Sequence, residues 1–357
     1  IMKFGHFDDV NREYVIHTPE TPYPWINYLG NEDFFTIISN TCGGYSFYKD
    51  ARLRRLTRYR YNDANPDSSG KYFYLRDGEN VWNPGWKPVK SPLDAYECRH
   101  GLGYSRWQST KDGLHCRLTS LVPIGFPGEV TQLRLTNKDT KGKDVEIISY
   151  VEFCLWDALD DMTNFQRNYS IGRAEPADDA IIHFTDYRDR RNHFAVHSVN
   201  KTISGFDCDR ESFTGPHQGL DRPRAVLSGE SGNSRAFGWA PVASLRVAVH
   251  LEPGESQDAV FLLGYVENPV PEKWDAPGVI NQSRMRAMMD RFAQSRAVDE
   301  AEEQLREYWT HILDNFTVKT GNEHVDRMVN LWNQAQCMVT FNLSRSASYF
   351  ESGIGRG

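Results

Sequence analysis

The sequence has no apolar run long enough to cross a bilayer, no Cys-x-x-Cys pair, no Gly-x-Ser-x-Gly and no Gly-Lys-Ser/Thr behind its glycines. These absences exclude a membrane-spanning helix, a dithiol or zinc-type cysteine centre, a nucleophile elbow and a Walker-type phosphate loop. Excess positive charge is missing too. A formal net charge of −7 argues against general nucleic-acid binding, which draws on Lys and Arg to neutralise phosphates. The six cysteines, at 42, 98, 116, 154, 208 and 337, are scattered, as expected of reduced thiols in a cytoplasmic protein. Residues 1–9 contain one Lys and no apolar stretch of signal-peptide type, which fits the same expectation.

What is present is turn punctuation and short alternating segments. Up to about residue 270, Gly, Pro, Asn and Asp recur densely, and the stretches between them alternate with period two, the texture of antiparallel strands. Clear examples are 114–122, 130–136, 145–156, 193–199, 245–251 and 259–266. Pro253-Gly254-Glu255 between the last two predicts a hairpin. About a dozen such strands exceed an immunoglobulin-sized unit, so a large antiparallel β-sandwich is expected over 1–272.

After Pro271 the period changes. Met285, Met288, Met289 and Phe292 predict a helix near 281–294. Val298, Ala301, Leu305, Trp309 and Ile312 predict a second by their three- and four-residue spacing. A third begins near Glu323, with Val325, Met328, Val329 and Trp332 as its stripe. The expected division is a helical linker over 273–322 and the start of a further helical domain over 323–357. A chain stopping at Gly353-Ile354-Gly355-Arg356-Gly357 reads as one whose helical domain continues beyond it.

Several segments are candidates for chemistry. Arg52, Arg54, Arg58 and Arg60 would share one face of a strand. That strip is either an anion or sugar site or a set of ion-pair partners for a neighbouring domain. Pro22-Tyr23-Pro24-Trp25-Ile26-Asn27-Tyr28 is aromatic and polar enough to receive a pyranose, or else is a packed loop. The connection 156–168, rich in Asp and Asn, follows an apolar strand and sits where sandwich loops carry recognition. Ser46, His100 and Asp8 form a nucleophile set only on paper. His6 and His100 lack the spacing of metal ligands. The segment 344–357 places Arg356 between two glycines, free to aim a guanidinium at a polar ligand.

Taken together, HFDD at the start, TPYPWINYLG, GGYSFYKDARLRRLTRYRYN, ECRHGLGYS, VEFCLWDALDDMTNFQRN, EKW and MVTFNLSRSASYFESGIGRG resemble the N-terminal part of the cellobiose phosphorylase family, which includes cellodextrin and chitobiose phosphorylases. The resemblance implies a β-sandwich, a helical linker and the beginning of an (α/α)6 barrel. It also implies an inverting phosphorolysis, cellobiose plus phosphate giving α-glucose 1-phosphate and glucose, in a cytoplasmic homodimer. Phosphate is the nucleophile, so a single acid suffices and no metal or organic cofactor is required. The acid, an Asp, is expected downstream of Gly357, which leaves no catalytic residue in this chain and predicts an isolated 1–357 without activity. Arg356 resembles the arginine that holds the non-reducing glucose. Asp157, Asn164 and Gln166 resemble a loop at the entrance of the neighbouring subunit's site, where the family pattern implies Asn at 157. Cellodextrin phosphorylase and a non-catalytic sugar-binding or assembly module are the alternatives.

Overall fold

The computed structural model describes residues 3–30, 32–60, 68–163, 172–185 and 192–342. Two antiparallel sheets dominate them. The larger, of eleven strands among the described residues, runs in space Gly5–Asp8, Glu13–Ile16, Ala95–His100, Tyr104–Lys111, Leu114–Leu121, Gly128–Asn137, Ser256–Glu267, His193–Val199, Ala180–Thr185, Gly172–Ala177 and Ala236–Phe237. The second runs Asn80–Trp82, Lys71–Asp77, Lys143–Trp156, Arg55–Thr57, Gly44–Tyr48, Phe34–Ser39 and Ile26–Gly30. Pro241–Leu251 also pairs with Lys143–Trp156 and in turn with Gly205–Asp209. Alternating residues from both sheets, among them Trp107, Leu118 and Leu133 from one and Leu75, Ile147 and Val247 from the other, close a single core.

The hairpin expected around Pro253-Gly254 does not form. Pro241–Leu251 belongs to the smaller sheet and Ser256–Glu267 to the larger, where it lies between Gly128–Asn137 and His193–Val199. The turn, with Gly254 at φ 82°, carries the chain from one sheet to the other. Val247 and Leu251 still face the core, as does Phe261 opposite them. Alternation records which face is buried but not which strand supplies the hydrogen bonds.

Helices Ser283–Asp290 and Arg296–Leu313 cover the outer face of the larger sheet. Met285, Met288, Phe292, Val298, Ala301 and Leu305 pack there on Leu121, Val130, Phe194 and Leu262. Contact is close enough that a Cβ on Gly264 would lie 2.3 Å from the Met288 Sδ, so a larger residue there would have to displace the Met288 side chain. The expected stripe is buried at Val298, Ala301, Leu305 and Trp309, with Leu313 rather than Ile312 completing it.

Asn322 caps the next helix through its side-chain oxygen, which accepts the His324 N–H at 3.0 Å. The helical run continues as Glu323–Arg327, a π-helical turn at Met328–Trp332 and Asn333–Asn342. Its buried residues are Leu331 and Ala335. Val325 and Met328, expected inside, are 42% and 40% exposed. This run docks on the first hairpin. Arg327 forks onto Asp9 at 2.5 and 2.6 Å and covers the Phe7 ring, which also meets Trp332. No helix among the described residues is long and apolar enough to cross a membrane.

Candidate functional site

Lys143–Trp156 is the spine of the smaller sheet. It pairs with Lys71–Asp77 through Val151, then takes Arg55–Thr57 as its neighbour at Phe153 and Trp156. At Trp156 the backbone turns to φ 70°, an uncommon conformation for a bulky residue, and the strand ends. Asp157 accepts the N–H groups of Leu159 and Asp160 at 3.0 and 3.2 Å, opening the helix Ala158–Thr163. Asp and Asn are equally good at this capping task, so the Asp at 157 is accommodated locally. Arg52 lies 4.0 Å from the same carboxylate and lends its carbonyl to the Ala158 N–H at 2.7 Å.

The root of that helix is fastened by buried charge. Arg58 reaches both oxygens of Asp161, at 2.6 and 2.5 Å, with Nε and Nη2, and gives Nη1 to Glu152 at 2.7 Å. Glu152 also accepts Tyr150 Oη at 3.1 Å and lies 3.5 Å from Arg210. Burial disfavours the Arg58 charge, but the two carboxylates outweigh it and hold its pKa well above the ordinary guanidinium value.

The arginine segment is not the single-faced strip expected. Residues 51–54 form a turn, and the strands Arg55–Thr57 and Tyr59–Arg60 are interrupted at Arg58 and pair with different partners, so the i, i+2 rule does not run through the segment. Arg55 is buried over Tyr45, 3.9 Å from the ring centre, and donates Nε to the Ala51 carbonyl. Arg58 pairs within the sandwich rather than with a neighbouring domain. Arg54 stays by Tyr48, whose ring stacks on Tyr265 at 4.0 Å. Tyr265 in turn hydrogen-bonds His193 at 2.6 Å and donates to Glu267 at 2.8 Å, with Trp156 edge-on. The Arg60 side chain lies outside the described residues.

Ser46, His100 and Asp8 are kept apart. Ser46 donates to Glu129, which also takes Lys71 at 2.7 Å, deep between the sheets. His100 receives the Ser105 hydroxyl and donates to the Trp25 carbonyl, each at 2.9 Å, and burial lowers its pKa to about 4. Asp8 accepts Asn11 and Arg99. His6 stacks on His17. Among the described residues no group of three His, Cys, Asp or Glu is placed to hold a metal ion. Asn164, Gln166 and Arg356 lie outside the described residues; of the expected site residues, Asp157 alone is placed. Glu152 and Asp161, which no motif spacing singled out, are the groups that anchor the loop. A Glu inside the apolar run Tyr150-Val151-Glu152-Phe153 was their visible signal.

The sandwich and the helical run that follows it make a two-part architecture, a large antiparallel β domain followed by the start of a helical one. Residues 12–295 match the family described as glycosyl hydrolase 94, supersandwich domain. Residues 308–357 match the glycosyl hydrolase 94 superfamily, catalytic domain. The chain belongs to the glycosyl hydrolase 94 family. It is 33% identical over 99% of its length to an N,N'-diacetylchitobiose phosphorylase of Vibrio proteolyticus and 32% identical to one of Vibrio furnissii. It is 28% identical over 96% of its length to a solabiose phosphorylase of Paenibacillus borealis. Each match covers 43% of the relative, so the chain spans less than half the length of these curated relatives.

Proposed function

We propose that this chain is the sandwich and barrel-entry portion of a glycoside phosphorylase that cleaves a β-linked disaccharide with inorganic phosphate and inversion at the anomeric carbon. The observation that carries the reading is its 33% identity, over nearly its whole length, to a disaccharide phosphorylase. In the reaction, phosphate oxygen bonds to the anomeric carbon as the glycosidic bond breaks, and one carboxylic acid protonates the departing sugar oxygen. That acid is proposed to lie beyond Gly357, and neither metal nor organic cofactor is proposed.

Cellobiose is the substrate to which the motifs point, giving α-glucose 1-phosphate and glucose. N,N'-diacetylchitobiose is the second reading, favoured by the two Vibrio relatives. The described part of 157–166 supports an entrance loop delivered by the sandwich: its root is a capped helix fixed by Arg58. The loop is proposed to act in a homodimer, over the partner's site. The buried free thiols of Cys98, Cys116, Cys154 and Cys208 go with a cytoplasmic location.

Incubating the full-length protein with phosphate and each disaccharide, then identifying the sugar phosphate and its anomer by NMR, tests the reading. Glucose 1-phosphate from cellobiose supports the first substrate, and cellotriose in its place the cellodextrin alternative. N-acetylglucosamine 1-phosphate supports the second. No sugar phosphate from any of them, even in the full-length protein, leaves a non-catalytic carbohydrate module.

A further inference from the structure

The aromatic segment 22–28 divides into two parts. Trp25 packs against Phe4 and Tyr14 beside the core, whereas Tyr23 is 75% exposed, and its side chain makes no hydrogen bond or ring contact among the described residues. Tyr23 borders a cleft of about 270 Å3 between residues 19–24 and the loop 83–90. That volume is near the lower end of small-molecule sites, roughly 300–1,000 Å3, enough for one or two sugar rings.

Both walls are set before any ligand arrives. On one, Asn40 accepts the Trp25 N–H at 3.0 Å, and Thr21 Oγ1 donates to the Tyr23 carbonyl at 2.7 Å. On the other, Val89 N–H donates to Asn83 Oδ1 at 2.9 Å and Lys90 N–H to the Trp86 carbonyl at 2.8 Å. A Cβ on Gly85 would lie 2.5 Å from Cys42 Sγ, so the loop is pressed onto the turn beneath it. Trp86 and Lys90 both sit at positive φ, 76° and 60°. That backbone conformation is costly for large side chains and is kept where surrounding contacts enforce it, often at ligand sites.

The strained loop holds a half-buried indole in the cleft, with its N–H unused among the described residues and Lys90 Nζ 5.7 Å from the ring. Exposed Glu20 lies on the facing wall. Two flat rings suit the apolar faces of a pyranose, and an indole N–H, an ammonium and a carboxylate suit its hydroxyls. Lys87 joins Lys90 in the lining against the single Glu20 carboxylate, so charge does not by itself select against an anion; the two rings carry the choice of a sugar, and inorganic phosphate is the competing ligand to test.

We propose that the cleft bordered by Tyr23, Trp86, Glu20 and Lys90 is an oligosaccharide-binding site of the sandwich, taking a neutral hexose unit of a β-linked gluco-oligosaccharide. The choice of β-linked glucose and N-acetylglucosamine chains rests on the phosphorylase reading, and the choice of a sugar rests on the rings.

Cellotetraose and chitotetraose are titrated into the full-length protein and followed by saturation-transfer NMR and tryptophan fluorescence, with Tyr23→Ala, Lys90→Ala and Trp86→Phe beside the parent. Tyr23 and Lys90 are exposed, so their variants keep the fold even where Trp86→Phe fails. Loss of a stacking ring is expected to weaken binding about tenfold. Binding of at least one tetrasaccharide that weakens in Tyr23→Ala supports the site. No binding up to about 10 mM, where weak sugar contacts register, overturns it. So does binding indifferent to all three substitutions, or a fluorescence response to inorganic phosphate alone that depends on Lys90. Sugar phosphate formation, assayed on the same preparations, reports separately on the phosphorylase reading. Tyr23-dependent binding without phosphorolysis overturns that reading and leaves the cleft standing.

Discussion

Arg58 and Asp161 are 103 positions apart in the chain and meet as a two-pronged fork, Nε to Oδ2 at 2.6 Å and Nη2 to Oδ1 at 2.5 Å, with both side chains less than one-tenth exposed. Planar guanidinium matches carboxylate in this geometry as an ammonium does not. The pair fixes the first turn of the 157–166 connection against the sheet.

Removing one partner leaves the other charged and buried. Asp161→Ala and Arg58→Met should each lower unfolding stability by about 3–5 kcal/mol, whereas the double variant should recover part of that loss. Urea unfolding of the four proteins measures the coupling. Singles that cost under about 1 kcal/mol would mean that the fork behaves as a surface pair.

Acid should weaken the fold through three histidines. Burial lowers the pKa of His183 to about 3 and of His100 and His197 to about 4, against an ordinary value of 6.5. Each is therefore neutral in the native state. Their contribution is complete above pH about 6.5 and is lost as pH falls toward 4, because the unfolded chain takes up protons that the fold refuses. Together they steepen the decline by up to about 4 kcal/mol per pH unit. His183 is the most informative of the three. It stacks on Phe153 at 4.6 Å, and neither ring nitrogen has a hydrogen-bond partner among the described residues. His183→Phe should remove one proton from the acid slope between pH 6 and 4.5, where pH steps are read against the 6.5 reference. An unchanged slope would show that His183 is protonated in the native state.

Arg356 carries the prediction for substrate. If it holds the non-reducing sugar, Arg356→Ala in the full-length enzyme should lose on the order of 2–4 kcal/mol of transition-state stabilisation. The loss should appear in kcat/KM in both directions, since disaccharide and sugar phosphate fill the same subsite. Unchanged values both ways would leave Arg356 a structural residue.

Sharing of sites between subunits is decided by mixing. One full-length variant lacks the catalytic acid, and the other has residues 157–166 replaced by a short Gly linker. A loop that acts in trans gives the mixed dimer one site with both parts, and activity returns. A loop that acts in cis leaves every site damaged, so mixed dimers that form without regaining activity would refute the shared site.

By itself the sequence determined the class of fold and the family. Period-two alternation over 114–122 and 145–156 reports burial on one face, and the spacing of Val298, Ala301, Leu305 and Trp309 reports a helix face; both are local properties of the chain. Pairing is not local. Nothing between Leu251 and Ser256 tells whether the next strand returns to the same sheet or crosses to the other, because the same residues are buried in either case. Nor does one-dimensional order say that Arg58 finds Asp161, that Asp9 finds Arg327 across 318 positions, or that Tyr23 and Trp86 border one cleft. Contacts between distant segments depend on where the sheets place them, and only the tertiary structure made the arginine segment a buried anchor instead of an exposed strip.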